Sequence, residues 1–202
     1  MSKYFCKKDT ILVATHNNGK AKEFRELFEK FGVKTIFSRN LDLLEPEETG
    51  KTFQENSELK ARSALNNGFI VVSDDSGLCV EALDDKPGIF SARWAKKFGS
   101  WEGAMENIYQ ELIKKKNKNF NARYCCSLSI MFSNNDLYTY YGEIKGKISW
   151  PPKGKNGFGY DPIFVPNDCA LSFGQLSKKK KMSTDHRSKA FKFLIKNHFI
   201  EE

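Results

Sequence analysis

The chain has 202 residues, 40% of them hydrophobic and 13% aromatic, which is enough to bury a real core and too apolar for intrinsic disorder. Its net charge is +8, from 33 basic and 25 acidic residues; no apolar run reaches the ~18–20 residues of a membrane helix and the start lacks a continuous apolar stretch, so neither a membrane-spanning nor a secreted protein is expected. The cysteines, Cys6, Cys79, Cys125, Cys126 and Cys169, are odd in number and form no C-x-x-C pair, which argues against a disulfide framework or a zinc site and fits reduced thiols in a cytoplasm.

Thr10–Ala14 is a short apolar run that reads as a buried strand, followed by the turn-rich stretch Thr15-His16-Asn17-Asn18-Gly19. Phe24, Leu27, Phe28 and Phe31 then recur at helical spacing and predict an amphipathic helix from Gly19 to Phe31. Gly32 ends it, and Val33–Ser38 reads as a second strand. Leu43–Gly50 is an acidic loop. Thr52 and Glu55 form a capping-box pattern for a helix from Phe53 to Asn66. Phe69–Ser73 is a β-branched strand that hands over to a polar loop, Ser73–Gly77. Trp101–Lys116 reads as a helix. Ala122–Phe132 and Leu137–Ile148 read as two strands joined by the turn Ser133-Asn134-Asn135-Asp136. Pro151–Asp161 is irregular, and its Phe158 and Tyr160 mark it as a functional loop rather than a linker. A last helix runs from His186 to Ile200, capped by Ser183, Thr184 or Asp185. Strand–helix alternation, then a hairpin, then a helix gives a mixed α/β sheet.

Charge is unevenly spread. Lys178–Glu202 carries eight basic and three acidic residues, +5, whereas Asp42–Glu48 carries four acids and no base. That pairing suits an anionic, metal-bound substrate such as a nucleoside triphosphate; a solvated basic face or a nucleic-acid surface is the other reading. The turn Thr15–Lys20 leads into a helix N-terminus, which favours anions, and Lys20 and Lys22 in the first turn call for a negative partner. It lacks the glycine and Ser/Thr pattern of a Walker A loop. Asp74 and Asp75 are adjacent carboxylates that repel unless a cation or donors neutralise them, and hard oxygens of this kind suit Mg²⁺; a polar capping turn is the alternative. Asn56 and Lys60 share one helix face. In Gly157–Pro162 the glycines flank an aromatic ring that could stack on a base, or form a tight turn around a core Phe. Lys181 and the pair His186-Arg187 could donate to a phosphate or a carbonyl.

Together these segments resemble the inosine triphosphate pyrophosphatase family. The matching pieces are ATHNNGKAKE (Ala14–Glu23), EETGKTFQENSELKA (Glu47–Ala61), SDDSGLCVEAL (Ser73–Leu83), PGIFSARWA (Pro87–Ala95), GFGYDPIF (Gly157–Phe164) and DHRSKA (Asp185–Ala190), in the family's order and spread over nearly the whole chain. The resemblance implies a single domain over residues 1–202: an elongated, twisted, mixed sheet flanked by helices, in two lobes with an active-site cleft between them. It implies a cytoplasmic homodimer that needs Mg²⁺ and hydrolyses ITP, dITP, XTP and dXTP to the monophosphate and pyrophosphate, without binding nucleic acid or membrane.

Residue by residue, it implies that Thr15, Asn17 and Lys20 hold the triphosphate, with His16, Asn18 and Gly19 adding backbone donors. Glu48 and Asp75 bind the metal, Asp75 doubles as general base, and Asp74 supports the pair. Ser76 touches substrate and Lys60 neutralises the phosphates. Phe158 stacks on the purine, with Gly159, Tyr160 and Asp161 lining the base pocket; Lys181, His186 and Arg187 complete it and read the 6-oxo group. Adenine, with an amino group there, would leave buried donors unpaired. The chain departs from the family at Asp185, where Ser is usual, and at Lys178–Lys181, where a neighbouring lysine could replace Lys181 and the positive potential rises. A pyrophosphatase for modified pyrimidine or methylated triphosphates is the nearest alternative; a basic nucleic-acid-binding module is the alternative of another class.

Overall fold

The computed structural model describes residues 3–65, 68–116 and 118–201. In chain order the elements are β1 (Thr10–Val13), α1 (Asn18–Glu29), β2 (Lys34–Phe37), α2 (Phe53–Ser63), β3 (Ile70–Val80), β4 (Lys86–Pro87), α3 (Ser91–Lys97), α4 (Trp101–Lys114), β5 (Asn121–Met131), β6 (Leu137–Ile148), β7 (Phe164–Pro166), α5 (Lys178–Met182) and α6 (His186–His198). The strands form one mixed sheet in the order β2-β1-β3-β5-β6-β7, with β4 on β3. β1 is parallel to β2 and to β3, because α1 and α2 are the crossovers that parallel neighbours need. β4 and β7 pair antiparallel, with β3 and β6 respectively. This is the mixed, helix-flanked α/β sheet expected. The chain divides into two compact units: Met1–Asp75 with Cys126–Gly142 and Arg187–Glu202, and Ser76–Cys125 with Glu143–His186.

In the first unit Asn17 caps α1, its Oδ1 accepting from the Gly19 and Lys20 amides at 2.8 and 3.1 Å. Phe24, Leu27 and Phe28 are buried, as the helical spacing requires, and Phe28 meets Phe5 and Phe191 edge-to-face. Thr52 caps α2 by accepting from the Glu55 amide, while the Glu55 carboxylate reaches back to the Lys51 amide rather than to that of Thr52. Leu12, Ala61, Ala64, Val71 and Met131 pack together beneath this helix. In the second unit Ser100 caps α4, which buries Ala104, Met105, Ile108 and Leu112 against Leu78, Val80, Ile144 and Phe164.

Element bounds differ from expectation in several places. β3 does not end at Ser73 but runs to Val80, so Ser73–Gly77 is strand and not loop; the side chains of Ser73, Asp74 and Asp75 find partners in place. α2 ends at Ser63; Asn66, the expected end, lies outside the described residues. α6 stops at His198. α3, β4 and α5 are too short for periodicity to reveal. α5 lies in the lysine run, where Ser177 caps a turn of residues that favour helix but read first as charge.

His198 joins the ends of the first unit. Its Nδ1 lies 2.7 Å from the Lys3 carbonyl and its Nε2 2.6 Å from the Tyr140 hydroxyl. Burial holds the imidazole below its ordinary pKa. The unfolded chain therefore protonates first, so the stability is complete above about pH 6.5 and declines as the pH falls below it. His198→Gln removes that dependence. Urea midpoints of wild type and variant, measured from pH 7.5 to 5, should converge as the pH falls; a constant gap would contradict the assignment.

Candidate active site

Because β3 continues through the acidic pair, Asp74 and Asp75 project to opposite faces of the strand. Their partners differ accordingly. Asp74 Oδ2 lies 3.1 Å from Lys20 Nζ of α1, and accepts from Arg187 of α6 at 3.3 Å (Nε) and 3.2 Å (the second terminal nitrogen). The remaining Arg187 nitrogen pairs with Glu23 of α1. Asp75 faces α2: Asn56 Nδ2 donates to its Oδ2 at 3.0 Å, and Lys60 Nζ lies 3.9 Å from its Oδ1. The same Lys60 donates to Glu48 Oε1 at 2.6 Å. The repulsion that adjacent carboxylates imply is thus relieved by separate cations.

The environments push the two acids apart. Burial opposes ionisation of Asp74, but Lys20, Arg187 and Lys60 outweigh it and hold the carboxyl well below the usual range. Burial raises Asp75, Glu48 adds to the rise, and Lys60, Lys20 and Asn56 offset only part of it. Burial also opposes charge on Lys60, yet Asp75, Glu48 and Asp74 raise its pKa above the ordinary value. Acid–base sites are built from such divergent pairs: Asp74 stays an anion, and Asp75 is the better proton acceptor.

Among the described residues no three His, Cys, Asp or Glu side chains converge as a metal cage. Glu48 and Asp75 instead converge on one ammonium, that of Lys60. Two hard oxygen donors already gathered around a cation fit Mg²⁺, which is commonly held by one or two carboxylates together with substrate phosphates.

The turn Thr15–Lys20 is more self-contained than expected. The Gly19 and Lys20 amides are taken by Asn17 Oδ1, and the Asn17 amide donates to Thr15 Oγ1. His16 and Asn18 tie the turn to its surroundings, His16 through the Leu43 carbonyl and Asn18 through Arg39. Lys20 is the side chain of this turn that joins the carboxylates.

The base-side residues assemble in the second unit. Asp161 is buried; its Oδ2 accepts from the Phe158 amide at 2.9 Å and from Lys181 Nζ at 2.7 Å. Lys181 is only 3% exposed, and its ammonium lies 4.8 Å from the centre of the Phe158 ring. Lys181 is therefore the lysine of its run that turns inward, whereas Lys178, Lys179 and Lys180 are exposed. Gly157, at φ +75°, has no room for a side chain: a Cβ would come 2.0 Å from Asp161 Oδ2. Gly159 also lies at positive φ, beside Trp101. Tyr160 anchors the loop from the core, donating to the Ser91 carbonyl at 3.0 Å. Ser76 is half-buried on β3. His186 stacks on Tyr124, ring centres 4.8 Å apart and planes within 8°.

Arg187 is not placed as expected. Its three nitrogens point to Asp74 and Glu23 in the first unit and it is 1% exposed, because a buried guanidinium demands carboxylate partners. Three participants went unassigned in the sequence. Glu23 shares the apolar face with Leu27, four residues on, and a carboxylate on such a face signals a buried partner. Asn56 was legible as a face-mate of Lys60 but not as a ligand of Asp75. Tyr124 sits in an inward strand position like any core aromatic and carries no local signal.

The family model described as the Ham1 family matches residues 11–197. A dITP/XTP pyrophosphatase from Zymomonas mobilis is 43% identical over 187 residues, covering 92% of this chain and 90% of that protein. Among solved structures, a HAM1 protein from Coxiella burnetii superposes with a TM-score of 0.84 at 32% identity, covering 94% of this chain and 98% of the other. The Staphylococcus aureus Ham1 protein gives 0.80 at 34% identity, over 92% and 96%.

Arg187→Met leaves Asp74 and Glu23 buried with less positive charge, so urea unfolding should show a loss of about 3–5 kcal/mol at neutral pH. Adding Asp74→Asn should recover part of that loss; strict additivity of the two substitutions would mean that the pair does not interact.

Proposed function

The chain belongs to the Ham1 family, and from that membership together with the carboxylate–lysine cluster we propose that it hydrolyses non-standard purine nucleoside triphosphates, ITP, dITP, XTP and dXTP, to the monophosphate and pyrophosphate. It is a nucleoside-triphosphate pyrophosphatase, a hydrolase of phosphoric anhydride bonds. The observation that carries the reading is the split of Asp74 and Asp75 onto opposite faces of one strand: one acid is fixed as an anion among cations, the other is raised and turned toward Lys60 and Glu48.

Mg²⁺ bound by Glu48 and Asp75 would polarise a phosphoryl oxygen and lower the pKa of water. The chain supplies the rest. Lys20 and Lys60 present ammonium groups to the triphosphate, and as phosphate takes over the neutralisation of Lys60, Glu48 and Asp75 are released for the metal, while Arg187 keeps Asp74 paired. Asn56 fixes the rotation of the Asp75 carboxylate by holding Oδ2. Asp75 orients the attacking water and accepts its proton. Phe158, cradled by Lys181 and Asp161, offers an aromatic face to the purine, and His186 and Lys181 supply donors to the 6-oxo group. The same membership supports a homodimer, which light scattering would report as twice the chain mass.

Purified protein given equal ITP, XTP, GTP and ATP with Mg²⁺ should release pyrophosphate and IMP or XMP, with little product from ATP and none under chelation. Asp75→Asn should lower turnover by about 10²–10⁴-fold. Orthophosphate as the product, or full activity in the variant, would overturn the reaction or the site respectively.

A further inference from the structure

Tyr124 lies on β5, is buried, and is absent from the set of residues expected to meet substrate. Its ring is clamped by aromatic neighbours: Phe164 meets it at 68° with centres 4.8 Å apart, and Phe173 lies nearly parallel at 6.0 Å. The His186 imidazole lies parallel to it at 4.8 Å. The phenol hydroxyl is hydrogen-bonded to the Asp161 carboxylate. That carboxylate in turn holds the Phe158 amide and the Lys181 ammonium. One buried side chain therefore touches, directly or through a single carboxylate, four of the second-unit residues to which base recognition is assigned: His186, Asp161, Phe158 and Lys181.

We infer that Tyr124 is a positioning and specificity-determining residue, which sets the tilt of His186 by stacking and the seat of Phe158 and Lys181 through Asp161. The inference deepens the pyrophosphatase reading and rests on it. Stacking on a fixed ring limits the imidazole to rotation within one plane, so its nitrogens sweep an arc and can meet a base edge at a defined height. The hydroxyl, kept neutral by burial and by the charge of Asp161, donates to that carboxylate and leaves Lys181 to be shared between Asp161 and the face of Phe158.

Tyr124→Phe keeps the ring and removes the hydroxyl. With ITP its KM should rise about tenfold, the loss of one hydrogen bond to a charged group, while kcat stays within about twofold and the poor rate on ATP is unchanged. Discrimination between ITP and ATP should fall by the same factor. Equal kinetics in both proteins, or an equal fall on both nucleotides, would overturn the inference, the second because it marks general loosening. Absence of turnover in the wild-type protein is a failure of the pyrophosphatase reading itself. In that event the stack is tested alone: Tyr124→Leu should move the His186 ring-proton resonances by removing a ring current, and unmoved resonances in a folded variant would refute it.

Discussion

A carboxylate with 1% exposure can remain ionised only if cations are built around it, and Asp74 is such a group. Lys20 comes from the first turn of α1 and Arg187 from the first turn of α6, with Glu23 balancing the second cation. The positions of two helices against β3 are thereby tied to one side chain. The same requirement explains a lysine in a helix N-terminal turn, where the helix dipole disfavours it: its counter-charge comes from the strand. Asp74 Oδ1 has no hydrogen-bond partner among the described residues, so all of this attraction is focused on the other oxygen.

Much of the architecture could be read from residue patterns, because the elements that matter are long and amphipathic. α1, α4, β5 and β6 fall within a few residues of their expected bounds. The error at β3 was of another kind. A run of Ser, Asp, Asp, Ser and Gly has turn composition, and local propensity speaks for a loop. Tertiary partners override it: Ser73 donates to the Ser57 carbonyl, Asp74 meets Lys20 and Arg187, and Asp75 meets Asn56. None of these contacts is visible within a window of a few residues.

Site residues divided along the same line. Motif resemblance could name Glu48, Lys60, Asp75, Phe158 and Lys181, and the structure gathers them into two groups, one in each unit. What motifs could not express is direction. Arg187 follows His186 in the chain, yet the imidazole belongs to the Tyr124 stack and the guanidinium to the Asp74 pair. Neighbours in sequence serve different tasks because successive residues at a helix start point about a hundred degrees apart.

The close approach of Gly157 to Asp161 has a genetic consequence. Any side chain at Gly157 must push against the carboxylate that seats Lys181, so an alanine there acts at a distance on a residue it never meets in the sequence. Such a substitution would mimic loss of the lysine while leaving the lysine intact. In a mutational screen scored by activity, the two positions would fall into one class, and an uncharged position with no side chain would carry the same weight as a buried ion pair.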